Sequence, residues 1–165
     1  MTREIYINTF RKIATQIDKK RLKQMQLEVA VVEVLGCVVL KLYKKAWANP
    51  GEDPLNAKSR IFFSIWADDV MIVEEKIRYN IHAFKLRQLD GYKIESNKFA
   101  STFRIGFRRF EKQWPNVSVQ FGPLTLMQGW LNIDPDNFLD EMMKLVDRFL
   151  EITPLVDNTL LKFRR

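Results

Sequence analysis

A short stretch in the middle of the chain has the residue types of a metal-dependent nuclease site. Asp69 is followed by an apolar run and then by Glu74 and Lys76. Two carboxylates can hold Mg²⁺, and a lysine close by can orient the attacking water. That chemistry requires Glu74 and Lys76 on one face of a strand, whereas this segment is predicted to begin a helix. Acidic residues in the first turn of a helix also offset its dipole, so a helix start explains the same residues without catalysis.

The single histidine and the single cysteine restrict other kinds of catalysis. Any Ser-His-Asp or Cys-His mechanism must use His82, and a metal site with several histidine ligands is excluded. Arg78 and Lys85 share the predicted helical arc of His82, and their charges should lower its pKa and keep the ring neutral. Cys37 lies in an apolar run, where a buried thiol is usually inert. No phosphate-binding glycine loop, zinc motif or nucleophile elbow occurs, and we expect neither a metal nor another cofactor.

Basic residues are concentrated in two segments of this chain of formal charge +7. Residues 1–27 hold seven Lys and Arg against two acidic residues, and residues 92–133 hold six against two. In the second segment, Arg104, Arg108 and Lys112 recur every four residues and form a row on a predicted helix. In the first segment, the basic residues cluster at the end of a predicted helix: Lys19, Lys20, Arg21 and Lys23. An anionic partner, either nucleic acid or an acidic protein, fits this pattern, although both runs are also typical of solvated helix faces.

The helix predicted over residues 96–114 carries an aromatic stripe opposite its basic row. Its large rings fall on one face and are expected in the core: Phe99, Phe103, Phe107, Phe110 and Trp114. Rings and charges on one shared surface would suit single-stranded nucleic acid. Because the periodicity places them on opposite faces here, the sequence predicts a phosphate-binding face without base stacking.

A ligand pocket near Trp130 is the alternative, in an enzyme or a small-ligand-binding protein. Gly129 and Trp130 lie in an apolar segment that is predicted to be a strand. Glycine lets a ligand approach the backbone, and tryptophan is frequent at binding sites. A turn or bulge at Gly129 beside a buried Trp130 explains the same pair structurally.

Helices and strands occur in groups rather than in strict alternation, which favours an α+β fold over a doubly wound nucleotide-binding fold. Helices are predicted over residues 2–26, 69–89, 96–114, 134–152 and 153–163. Two strands are predicted within residues 27–43, reversing near Gly36, and three more over residues 60–66, 117–121 and 124–133.

The predicted architecture is a single α+β domain over residues 1–165. An antiparallel or mixed sheet of about five strands is packed by an N-terminal helix, a central aromatic-rich helix pair and two C-terminal helices. A hydrophobic content of 47% is enough for a core without disulfides. The N-terminus lacks the pattern of a signal peptide, and no apolar run has the length of a membrane span. We therefore expect a cytoplasmic, non-catalytic binding or accessory protein.

Overall fold

Five strands form one antiparallel sheet in which each strand pairs with the next along the chain. The structure is a computed structural model that describes residues 1–165. Its strands are β1 (Glu28–Val34), β2 (Cys37–Ala48), β3 (Arg60–Ala67), β4 (Lys76–Phe84) and β5 (Thr125–Asn132). Together with the helices, the sheet gives the α+β fold that the sequence predicts.

Five α-helices accompany the sheet, and the three longest pack on one of its two faces. They are α1 (Arg3–Gln16), α2 (Lys19–Met25), α3 (Asp69–Val73), α4 (Ser96–Phe107) and α5 (Phe138–Leu161). Thr2 caps α1 as predicted, because its hydroxyl accepts a hydrogen bond of 3.2 Å from the backbone N–H of Ile5. No helix of the protein combines the length and the apolar character that crossing a membrane requires.

The core lies between the helices and the strand residues that face them. In β3, Ile61, Phe63 and Ile65 alternate with residues of the other face and are buried. The ring of Phe149 on α5 stacks on Phe63 at a centroid distance of 4.7 Å. Trp114 also contacts Phe149, at 4.9 Å, so one residue of α5 joins the sheet to the segment that follows α4.

Four of the five rings of the predicted aromatic stripe are buried and the fifth, Phe110, is partly buried, but the helix is shorter than predicted. Phe99, Phe103 and Phe107 have no exposed surface, and Trp114 is 3% exposed. The helix ends at Phe107, beyond which a bond from Phe110 N–H to Phe107 C=O tightens the chain into a turn. This turn brings Trp114 back onto the core, where an extended helix would have carried it away.

The helix predicted over residues 69–89 is wrong, because only Asp69–Val73 is helical and Lys76–Phe84 is the fourth strand. The aromatic-rich helix pair is therefore a single helix, α4. Apolar residues at Ile77, Tyr79 and Ile81 fit a period of two as well as a helical face. Pairing with β3 on one side and β5 on the other decides between the two periods.

The strand predicted over residues 117–121 is also wrong, since this segment makes a single bridge between Ser118 and Gln128. The carbonyls of Phe121 and Gly122 accept hydrogen bonds from the guanidinium of Arg104, not from a neighbouring strand. The five strands of the sheet thus include β4 in place of this segment.

Both ends of the chain differ from the prediction in the number of helices. The N-terminal helix breaks at Ile17, and the carboxylate of Asp18 caps a second short helix by accepting from the N–H groups of Lys20 and Arg21. At the other end, Pro154 lies inside one continuous helix. The buried side chains of Ile152 and Val156 hold the helix together across the proline.

Phe107→Ala is expected to lower the free energy of unfolding by about 3–5 kcal/mol, because it removes a fully buried ring. Equilibrium denaturation measures this loss. Phe121→Ala is the control, since Phe121 is 39% exposed and its truncation should cost less than about 1 kcal/mol. A similar small loss for Phe107→Ala would contradict its place in the core.

Candidate binding surface on the open face of the sheet

The sheet face opposite the helices carries rows of side chains from neighbouring strands. We call it the open face. Each row joins residues that are directly opposite one another in the strand register. From one end of β4 to the other, the rows are Lys76 with Asn132; Val39, Trp66, Arg78 and Trp130; Lys41, Ser64, Asn80 and Gln128; Phe62 with His82; and Arg60 with Phe84.

Cationic groups of the open face lie against its aromatic rings. The ammonium of Lys41 is 4.6 Å from the ring centre of Phe62. The guanidinium of Arg60 is 5.3 Å from Phe62 and 5.1 Å from Phe84. His82 stacks on Phe84 at 5.2 Å with an angle of 24° between the rings. At such distances, the quadrupole of an aromatic ring attracts a cation that lies over its face.

A second group of rings and cations lies at the other end of the open face. The guanidinium of Arg78 is 5.7 Å from the ring centre of Trp66. The ammonium of Lys76 is 5.2 Å from Trp130. Rings and charges therefore do share a surface in this protein, but on the sheet and not on the central helix.

Three of these cations have no carboxylate partner. The eight ion pairs of the protein include Lys76, which lies 3.6 Å from Glu74, but none of Lys41, Arg60 and Arg78. Burial lowers the pKa of Lys41, and the charge of Arg60 adds to this effect. Burial also lowers the pKa of Arg60, against a smaller opposite effect of Asp53. The open face thus holds positive charge that the protein itself does not neutralise.

A groove of about 380 Å³ lies along the open face, within the size range of small-ligand sites. Every strand contributes to it, and the turn between β1 and β2 adds Leu35 as an apolar lip. Ser64 donates a hydrogen bond to the Asn80 side-chain carbonyl, and the amide of Asn80 donates to Gln128 at 3.2 Å. The groove therefore has apolar sides, a polar floor and cations at its edge.

Unsatisfied polar atoms are concentrated around this groove. Five buried side-chain nitrogen or oxygen atoms of the protein have no hydrogen-bond partner. Three of them belong to residues that line the groove, namely Nε of Arg60, Nε1 of Trp66 and Nδ1 of His82. Unpaired buried polar atoms cost free energy and are rare in native proteins, so these three nitrogen atoms are hydrogen-bonding groups that the protein itself leaves unused.

His82 is neutral at physiological pH, as the sequence predicts, but the causes differ from those expected. Burial is the main effect that lowers its pKa to about 4, and the charges of Lys41 and Arg60 lower it further. Arg78 and Lys85, which the helical prediction placed beside it, are not among these causes. The ring can accept or donate a hydrogen bond without adding charge to the groove.

The nucleophilic side chains in the groove are not activated. Burial is the main cause that raises the pKa of the Cys37 thiol, which disfavours the reactive thiolate. The hydroxyl of Ser64 bonds to Asn80 and not to His82. Although Cys37, Ser64 and His82 line one groove, the hydrogen bond from nucleophile to base that covalent catalysis uses is not formed.

The residues of the nuclease hypothesis have separate partners. Asp69 on α3 forms an ion pair with Arg3 at 3.1 Å. Glu74 follows the end of α3 and pairs with Lys76, whose ammonium lies over Trp130. No group of three or more His, Cys, Asp or Glu side chains is placed to hold a metal ion.

The predicted basic row on the central helix is not continuous. Arg104 lies within α4, whereas Arg108 and Lys112 follow its end. The guanidinium of Arg104 donates to the backbone carbonyls of four residues in the segment before and at the start of β5, at 2.9–3.1 Å: Phe121, Gly122, Thr125 and Leu126. Arg104 therefore fastens this segment to α4, while Arg108 stays exposed.

The N-terminal basic cluster lies on α2, and the cleft beside it reaches Tyr43, which is directly opposite Phe62 in the strand register. Lys19 and Lys23 line a cleft together with Tyr43 and Lys45, whereas Lys20 does not. Arg21 forms an exposed ion pair with Asp147 at 3.5 Å. The cleft has a basic rim but neither stacked rings nor unpaired buried atoms, which distinguishes it from the groove.

Gly129 and Trp130 have different roles in the structure. A side chain at position 129 would overlap the hydroxyl of Tyr79, which donates a hydrogen bond of 2.6 Å to the carbonyl of Pro115. Glycine is thus required there by a close approach within the core. Trp130 is 38% exposed rather than buried and lies on the open face, beside the groove and not in its lining.

The sequence prediction misses the β4 part of the open face, because it assigns residues 69–89 to a helix. A signal for it exists in the strict alternation from Lys76 to Phe84. Every second residue there is apolar and buried, which is typical of a strand with one covered face. The residues between them, including Arg78, Asn80 and His82, then fall on the opposite face.

Comparisons with known proteins add no functional information. No protein-family model matches the chain, and neither the curated proteins nor the solved structures contain a match.

Arg104→Ala is expected to lower the free energy of unfolding by about 1–3 kcal/mol, because four carbonyls lose a charged donor. From the helical row alone, we expected little change in stability. Arg108→Ala is the matched control, with an expected change within about 0.5 kcal/mol. Equal losses in the two variants, measured by urea denaturation, would contradict the anchoring role of Arg104.

The neutral state of His82 should make stability depend on pH. Since its pKa is lower in the folded protein than in the unfolded chain, its contribution is intact above about pH 6.5 and is lost as pH falls toward about 4. The free energy of unfolding should therefore decrease in this window more steeply than in His82→Gln, by at most about 1.4 kcal/mol per pH unit. Parallel curves for the two proteins would contradict a lowered pKa, which NMR titration of the ring measures directly.

Proposed function

We propose that the protein is a non-catalytic binding protein and that its ligand is an organic anion with a flat unsaturated ring, as in a nucleotide. The open face of the sheet is the proposed site. The observation that carries this proposal is the set of unpaired cations against aromatic rings: Lys41 and Arg60 beside Phe62 and Phe84, and Arg78 beside Trp66.

Charge supports an anionic ligand. Lys41 is 9% exposed and lies near Arg60, so both charges are held together at a cost to stability. A phosphate or carboxylate in the groove would neutralise them, and Arg60 could offer it a forked pair of hydrogen bonds.

The aromatic and polar groups support a ligand that also carries a ring. Trp66, His82 and Phe84 are partly exposed along the groove and provide flat surfaces for stacking. The unpaired nitrogen atoms of Trp66 and His82 can bond to polar atoms on such a ring. A simple inorganic anion would leave these groups without partners.

The same groove supports binding rather than chemistry. His82 is neutral and Cys37 is disfavoured as a thiolate. Ser64 donates to Asn80 and has no base as a partner. The proposal includes a cytoplasmic location, since nucleotides and nucleic acids are abundant there.

Adenosine 5′-monophosphate is the test ligand, with adenosine and inorganic phosphate as partial ligands. At low salt, the monophosphate should shift the NMR signals of the Trp66 indole and the His82 ring, and should bind more tightly than either part. Arg60→Gln should weaken binding roughly tenfold, as expected for loss of a charged hydrogen bond. Arg108→Gln removes the same charge from an exposed site outside the open face and should leave affinity unchanged.

Two results would contradict the proposed function. One is the absence of any shift at Trp66 and His82 in the presence of the monophosphate. The other is an equal loss of affinity in Arg60→Gln and Arg108→Gln, because that would reflect net charge and not a site.

A further inference from the structure

The open face has two groups of rings and cations, and the groove accounts for only part of it. We name the first group the phenylalanine end, made of Lys41, Arg60, Phe62, His82 and Phe84. We name the second group the tryptophan end, made of Trp66, Lys76, Arg78 and Trp130. Each end combines cations with aromatic rings at 4.6–5.7 Å.

The groove reaches as far as Trp66, but one nucleotide in it cannot also contact Lys76 and Trp130 on the far side of the tryptophan end. Phe62 and Trp66 are four residues apart on β3 and point to the same face, which corresponds to about 13 Å. Lys76 and Phe84 are eight residues apart on β4, or about 27 Å. The polar row of Ser64, Asn80 and Gln128 lies between the ends and continues the surface.

The tryptophan end has the features of a second binding position and not of a structural cluster. Trp130 is 38% exposed, and Lys76 covers its ring from one side. In the strand register, Arg78 lies between Trp66 and Trp130 and has no ion pair. Lys76, Arg78 and Trp130 do not belong to the buried core cluster, and of this group only Trp66 packs against it.

We propose that the open face binds single-stranded nucleic acid along the direction of the strands, from the phenylalanine end to the tryptophan end. This inference rests on the proposed function, and it identifies the ligand as a polymer. Successive phosphates would meet Arg60, Arg78 and Lys76, while bases stack on the exposed rings. Stacking on aromatic side chains with a basic groove along the backbone is the general mode of single-strand binding.

The length of the open face and its exposed rings predict how long the ligand is and whether it is single-stranded or double-stranded. Phosphates of one strand are 3.4 Å apart along a duplex axis and further apart in an extended strand, so a surface of about 27 Å corresponds to roughly four to eight nucleotides. A duplex keeps its bases stacked on each other and cannot offer them to Trp66, His82 or Trp130. The proposal therefore predicts a preference for single strands.

Oligothymidylates of about two, eight and twelve nucleotides test the inference in fluorescence titrations at two salt concentrations. Affinity should rise at least tenfold from two to eight nucleotides and change little from eight to twelve. A duplex of the same length should bind at least tenfold more weakly than the single strand. An oligouridylate of eight nucleotides, compared with the thymidylate, shows whether RNA or DNA is the better ligand.

Variants at the tryptophan end separate this inference from the proposed function. Lys76→Gln combined with Trp130→Ala should abolish the rise in affinity from two to eight nucleotides and leave the affinity for the dinucleotide unchanged. Arg60→Gln should weaken the binding of both the dinucleotide and the octanucleotide. Trp130→Phe keeps an aromatic ring and should retain most of the gain. Circular dichroism checks that each variant is folded, and Arg108→Gln is the charge-matched control.

Three other results would contradict the inference, the role of the tryptophan end, or the proposed function itself. Equal affinity for two and eight nucleotides, or equal affinity for single strand and duplex, would contradict the binding of single-stranded nucleic acid along the open face. Neither result would contradict the proposed function. If the double variant keeps the full gain with length, the tryptophan end is not part of the site. If neither adenosine 5′-monophosphate nor any oligonucleotide binds at low salt, both the inference and the proposed function fail.

Discussion

The ring of Phe149 is the contact on which the arrangement of the protein depends. It meets Phe63 of β3 at 4.7 Å, Tyr79 of β4 at 6.3 Å and Trp114, which follows α4, at 4.9 Å. Three separate parts of the chain thus converge on one residue of α5. The Tyr79 hydroxyl then fixes Pro115 and occupies the space that a side chain at Gly129 would need. Aromatic packing of this kind is directional, so it fixes the register of the central strands as well as burying their surface.

The choice of residues that are buried on the helical face of the sheet also determines which residues lie on the open face. Side chains alternate along a strand, so burying Phe63 and Tyr79 places their sequence neighbours on the open face. Arg78 and Asn80 flank Tyr79 in this way, and Phe62 flanks Phe63. None of the open-face residues in the rows above belongs to the main buried cluster, although Trp66 packs against it. The open-face residues are therefore free to carry charge and unpaired polar atoms, which the core could not tolerate.

Local sequence patterns determine much of the fold but not the elements that depend on distant partners. The sequence predicts the hairpin of β1 and β2 and the amphipathic part of α5 up to Ile152, because β-branched residues and helical periodicity act locally. The segment from Lys76 to Phe84 fits two periods, and only its pairing with β3 and β5 makes it a strand. Likewise, the Arg104 guanidinium is engaged by carbonyls about twenty residues further along the chain. The candidate site was missed for the same reason, since its rows form only once four strands are in register.

Lys41 and Arg60 lie against an aromatic ring, Phe62, and not against a carboxylate. A cation over an aromatic face gains about 0.5–2 kcal/mol, whereas removing one partner of a buried ion pair costs about 3–5 kcal/mol. An incoming phosphate can therefore take Lys41 or Arg60 away from Phe62 at a small cost, because neither cation forms an ion pair and only the more distant charge of Asp53 acts on Arg60. Carboxylates hold other cations, such as Lys44, which bonds to Asp157 where α5 meets β2, and Lys76, which pairs with Glu74 at the edge of the open face. Exchangeable partners around Lys41 and Arg60 suit the proposed anion binding, because the same cation must be held before binding and released during it.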